Sequence, residues 1–129
     1  MTDGRNRGGD AVYDEAEIGR RLAAELPSWR LETGCIQRRF ETGGWKATLM
    51  VVNAIGHLAE VAFHHPEITA SYGAVIVRLS THSANGVTTK DFELARKIEE
   101  IVTWQPGLDD QTSLEGIPDD PCLRYLTYD

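Results

Sequence analysis

The chain has 129 residues, 41% hydrophobic, 26% charged and 8% aromatic, a length that suits one domain and is too short for two full cores. Basic residues number 13 against 20 acidic ones, and the longest basic clusters are the pairs Arg20-Arg21 and Arg38-Arg39, so direct nucleic-acid binding is not expected of a net charge of −7. No apolar run approaches the roughly 20 residues of a membrane-spanning helix, and the first residues lead into no apolar stretch, so a cytoplasmic protein without a membrane segment is expected.

Residues 1–11 hold three glycines and four charges with almost no apolar content, and read as a disordered lead. From Tyr13 to Leu26 the apolar residues Ile18, Leu22 and Leu26 recur at helical spacing. Asp14, Glu15 and Glu17 near the start suit the helix dipole, and Pro27 ends the helix. Trp29 to Leu31 and Cys35 to Phe40 read as two strands joined at Thr33-Gly34. The second has Cys35, Ile36 and Phe40 around Gln37, Arg38 and Arg39.

The spacing predicts a long helix from Trp45 to about Phe63, with Thr42 as its cap and Trp45, Leu49, Val52, Ile55, Ala59 and Ala62 as its apolar stripe. Lys46, Asn53, His57, Glu60 and His64 fall within a narrow arc at 100° per residue and form a polar stripe that runs into His64-His65-Pro66. Ile68 to Tyr72 and Val75 to Leu79 predict a second hairpin, turning at Gly73-Ala74. Ser80 to Gly86 is a polar loop containing His82. Thr88 opens a last helix with Phe92, Ala95, Ile98 and Val102 on one face. Residues 104–129 carry Pro106, Pro118 and Pro121 and six acids against one arginine, an irregular acidic tail packed through Trp104, Leu123 and Tyr125. Residues 12–103 are left as the domain proper. Two hairpins between three helices favour an α+β fold, an antiparallel sheet with helices on one face, in the order α-β-β-α-β-β-α.

Histidine is the side chain best matched to proton transfer near neutral pH. His64, His65 and His82 lie at element ends, and Glu60 and Asp91 are placed to orient them. Thr88 to Asp91 also resembles a helix-opening capping box, with Asp for the usual Glu, and both roles fit one residue. His57, Glu60 and His64 have a spacing open to zinc. Tyr72 reads as hairpin packing, and Trp29 and Trp45 as core. Cys35 and Cys122 form neither a CxxC pair nor a metal framework, and read as reduced thiols.

From Glu60 the order is three residues, His64-His65-Pro66, five residues, Tyr72, nine residues, His82, eight residues, Asp91. This resembles the signature of the pterin-4a-carbinolamine dehydratases, and IQRRFETGGWKATLMVVNAIGHLAEVAFHHPEI and LSTHSANGVTTKDFELA resemble that family's long helix and histidine loop. The resemblance covers about Gly19 to Val102. It implies a four-stranded antiparallel sheet with three helices on one side. It implies loss of water from 4a-hydroxytetrahydropterin, without metal or redox cofactor, which argues against zinc at His57. Carried over, it makes His64 and His82 the acid/base pair, Glu60 an orienting neighbour, and His65, Asp91 and Ile68 substrate-binding positions. Phe63 stands where many members have a carboxylate, and Ile68 where many have the tryptophan that would stack on a pterin.

The long helix also carries Met50, Ala54, Leu58 and Val61 outside its main stripe, more apolar surface than one sheet needs, which predicts a homodimer or homotetramer. Relatives of this fold also serve as a dimerisation cofactor of a transcription factor or as Rubisco assembly factors. The resemblance therefore carries a second reading, a non-catalytic protein-binding role. The joint presence of Glu60, His64, His65 and His82 favours the enzyme.

Overall fold

A computed structural model describes residues 11–128; Asp129 and most of the expected lead, residues 1–10, lie outside the described residues. Asp14 caps the first helix, accepting the Glu17 amide at 2.8 Å, and α1 runs over Glu15–Glu25 before Pro27. A hairpin follows, β1 (Arg30–Glu32) and β2 (Cys35–Glu41), then α2 (Trp45–Ala62), a second hairpin of β3 (Glu67–Ser71) and β4 (Ala74–Leu79), and α3 (Thr89–Val102). The four strands form one antiparallel sheet in the order β1-β2-β4-β3, with Ile36 opposite Leu79, Arg38 opposite Val77 and Phe40 opposite Val75.

That register decides which side is covered. Ile36, Phe40, Val75, Val77 and Leu79 share one face and pack with Ile18 and Leu22 of α1, Val51 and Ile55 of α2, and Phe92, Ala95 and Ile98 of α3. All three helices lie on this side, and Cys35, Gln37, Arg39, Ile76 and Arg78 alternate onto the other. Arg38, which the strand pattern grouped with its polar neighbours, is on the covered face and 3% exposed. Its Nε and Nη2 donate to Glu99 of α3 at 2.9 Å each, and Trp29 Nε1 donates to the same carboxylate at 2.8 Å. A bidentate pair of this kind offsets much of the cost of burying the guanidinium, and removing Glu99 would leave that charge buried and unmatched by this carboxylate.

Three expectations need correction. Thr42 does not cap α2: the cap is Gly44, whose φ of 155° suits glycine, and Thr42 instead donates to Thr48, which donates to the Ser71 carbonyl at 2.8 Å. Trp45 is not core; it is 49% exposed, because α2 turns Ala47, Thr48, Val51, Ile55 and Ala59 to the sheet, a stripe rotated from the predicted one. A helix apolar on several sides does not announce which side will be buried. The tail packs through Leu126, 4% exposed, with the expected Tyr125 half-buried beside it, while Trp104 and Leu123 are 60% and 52% exposed. Gly43 donates to the Tyr125 carbonyl and Thr127 to that of Glu41, so the extended tail pairs beside the end of β2 and alternation points Leu126 inward.

This makes the tail part of the core. Leu126→Ala should cost about 2–5 kcal/mol in urea denaturation, and Leu123→Ala should stay within about 0.5 kcal/mol. Equal effects would show that the tail does not pack as described.

Candidate active site

The C-terminus of α2 sets the first pair of histidines. Phe63 closes the helix in the left-handed region, at φ 51° and ψ 47°. The His64 amide then donates to Ala59 O and the Phe63 amide to Glu60 O, a Schellman turn that sends the chain sharply away from the helix axis. A phenylalanine in this conformation costs about 1 kcal/mol relative to glycine. Its ring stands edge-on to His65, with centroids 5.3 Å apart.

Asp91 is fully buried and joins the separate pieces of the site. Its Oδ1 lies 2.6 Å from His64 Nε2. Its Oδ2 accepts the Thr81 hydroxyl and the Thr88 amide, each at 2.8 Å. The second bond completes the capping box of α3, so Asp91 holds the helix cap and the histidine at once. With Asp91 as a carboxylate, His64 donates its Nε2 hydrogen to Oδ1, which leaves Nδ1 as the ring nitrogen that can exchange a proton. Thr81 immediately precedes His82, which opens a short 3-10 turn closed by paired amides between Thr81 and Gly86.

Glu60 orients a different histidine from His64: its Oε1 lies 2.9 Å from His65 Nε2, in an exposed pair. His65 and His82 line one cavity of about 360 Å³ on the open side of the sheet, with Cys35, Gln37, Glu67 and Arg78. His64 instead lines a groove between α2 and α3, so the dipeptide straddles the boundary between the two hollows. Asp91 is behind His64 and does not line the cavity. Ile68 lies opposite Val77 on the helix-covered face, half-buried against the core, and does not line the cavity either. His57 is exposed, and among the described residues no three His, Cys, Asp or Glu side chains are grouped to hold a metal ion.

Cys35, Gln37, Glu67 and Arg78 were not anticipated as cavity residues. Their signal was present as side chains at every second position of the strands, clear in β4 where Val77 and Leu79 flank Arg78 and masked in β2 by Arg38.

The fold and histidine cluster can be set against known proteins. The family model described as pterin 4 alpha carbinolamine dehydratase matches residues 11–101. This chain belongs to that family. It is 44% identical over 88 residues to an Aquifex aeolicus protein provisionally named pterin-4-alpha-carbinolamine dehydratase, covering 68% of this chain and 88% of that one. A Chloroflexus aggregans protein with the same provisional name is 44% identical over 93 residues, covering 71% and 98% of the two chains. The crystal structure of a transcriptional coactivator/pterin dehydratase from Brucella melitensis superposes with a TM-score of 0.65 at 32% identity, over 71% of this chain and 99% of that one. No described helix is long and apolar enough to cross a membrane.

Cys35 gives the cavity a titration that can be read directly. Burial holds its thiol above the ordinary value; Arg78 pulls it back, and Glu67, Glu32 and Asp91 add to the rise. A raised thiol is protonated, and therefore unreactive, to higher pH. Alkylation of Cys35 by iodoacetamide, followed by mass spectrometry of its peptide, should reach half-maximal rate at higher pH than free cysteine. A lower midpoint would contradict this environment.

Proposed function

We propose that this chain removes water from a 4a-hydroxytetrahydropterin to give the quinonoid dihydropterin, as a cytoplasmic step in tetrahydropterin recycling. The C4a–O bond breaks, the hydroxyl leaves as water with a proton from a general acid, and N5 gives its proton to a general base. One acid and one base suffice, and the balance needs no metal or redox partner. Family membership supports the reaction class.

The observation that carries the reading is Asp91: one buried carboxylate holds His64 directly and anchors Thr81, which bears the His82 loop. On this reading His82 acts from within the cavity and His64 from its rim, where the dipeptide turns from the cavity to the α2–α3 groove, and the two exchange the protons. A histidine backed by a buried carboxylate has its tautomer and ring orientation set, which is what a proton-transfer group needs. His65, held by the exposed Glu60, contacts the pterin from within the cavity. A cavity of about 360 Å³ is in the range of small-ligand sites. Asp91 then acts as a positioning residue through His64, and Ile68 contributes by packing behind the sheet.

The test is a dehydratase assay with 4a-hydroxytetrahydropterin supplied by a hydroxylase. His64→Ala and His82→Ala should each lower kcat by roughly 10²–10⁴-fold with the circular dichroism unchanged. Spontaneous dehydration sets a floor under the measured rate, so the observed loss falls toward the low end. Full activity in both variants would overturn these roles, and a wild-type rate no faster than background would overturn the enzymatic reading.

The exposed face of α2 supports a second part of the proposal, a homodimer or homotetramer. Trp45 and Leu49 on one flank of the Lys46–Asn53–His57–Glu60 stripe, and Met50 and Val61 on the other, are exposed, and a subunit contact would cover this apolar surface. Light scattering at micromolar concentration should give a dimer or tetramer, and Met50→Glu should shift it toward monomer. A wild-type monomer would instead leave this face to a different protein, as the coactivator name of the Brucella relative suggests for that protein.

A further inference from the structure

A second hollow adjoins the histidine cavity at the edge of β2, between the start of β1 and the C-terminal tail, and reaches the open side of the sheet through Arg30, Gln37 and Arg39. One register row there crosses all four strands: Arg30, Gln37, Arg78 and Glu67. Gln37, in the middle of the row, lines both hollows. The second has a volume of about 470 Å³ and is lined by Arg30, Arg38, Arg39, Thr127 and one carboxylate, Glu41, among others. The Arg38 guanidinium is turned inward to Glu99. Arg30 and Arg39 are exposed, on a chain whose net charge is −7. Each has a carboxylate nearby, Glu32 at 3.5 Å and Glu41 at 3.4 Å. Solvated pairs of this kind are worth little and exchange readily for a better acceptor. Thr127 comes from the C-terminal tail, beyond the family match that ends at residue 101, and is held there by its bond to the Glu41 carbonyl.

Length then limits the ligand. Cys35 lines the histidine cavity and Arg39 the second hollow, four residues apart on one strand, or about 13 Å. A bicyclic ring beside His65 and His82 does not reach that far, but a ring with a side chain does. Arg30 stands beside Gln37 and Arg39 two residues further along, and two guanidinium groups there select an oxyanion, with fork geometry suited to phosphate or carboxylate.

We propose that the second hollow is an anion subsite of the same active site: Arg30 and Arg39 take the phosphate or carboxylate end of a pterin's C6 side chain, and the C-terminal tail forms the outer wall. This rests on the pterin reading above and deepens it to a substrate class, pterins with an anionic side chain.

Calorimetric titration can test it with three 7,8-dihydropterins. One carries a neutral trihydroxypropyl side chain, the second its phosphate monoester, and the third an aminobenzoylglutamate. The full chain should bind at least one anionic ligand about tenfold more tightly than the neutral one. The tighter arm identifies the anion as phosphate or carboxylate. In Arg30→Gln/Arg39→Gln the ratio of anionic to neutral affinity should fall to about one, and 0.5 M salt should compress it in the wild type. A general loss of fold would lower both affinities and leave the ratio, so the ratio isolates the subsite. Equal wild-type affinities, or a preference that survives the double substitution, would overturn the subsite alone. Binding of none of the three would overturn the pterin reading together with it.

Discussion

A single buried carboxylate connects the fold to its candidate chemistry. Asp91 sits in the first turn of α3, where an acid complements the helix dipole and caps the Thr88 amide. Its other oxygen reaches across to His64 at the end of α2, and Thr81 brings the β4–α3 loop to the same group. Without these donors a carboxylate so deeply buried would carry a large desolvation cost. The end of α2 with His64 and His65, the loop with His82 and the start of α3 are therefore held together by the need to satisfy one acid. The same bonds that make α3 begin where it does also set the ring of His64.

The sheet divides the molecule into two chemical environments. Its covered face is apolar except for Arg38, and Glu99 answers that charge from α3 with two bonds while also taking the Trp29 indole. This network fastens the β1–β2 hairpin to the last helix at a point where a purely apolar contact would specify orientation less sharply. The open face is polar, with three arginines and their acids arranged by register. The histidine cavity on this face and the hollow at the edge of β2 meet at Gln37.

The C-terminal tail changes the family domain locally and at a definite place. It pairs with the end of β2, inserts Leu126 into the core and brings Thr127 beside the open face. Gly107 and Gly116 approach so closely that a Cβ at Gly107 would lie 2.4 Å from Glu115 O, so the tail folds back on itself along a path that depends on that glycine.

Most of the architecture is determined by the sequence by itself. The helices and strands follow from apolar periods of about 3.6 and 2, and two hairpin turns make the sheet antiparallel. The histidine spacing identifies the family before any contact is known. Other features appear only in the tertiary structure, because they depend on which of several similar faces meets a partner. Trp45 is outside and Ala47 inside because α2 is apolar on more than one side. Arg38 is buried because Glu99, 61 residues away in sequence, lies above it. Glu60 bonds to His65, and Asp91 to His64, because the left-handed turn at Phe63 separates the directions of two adjacent histidines. Periodicity constrains the faces of single elements, but long-range partners are chosen by packing, where charge, register and burial are satisfied together.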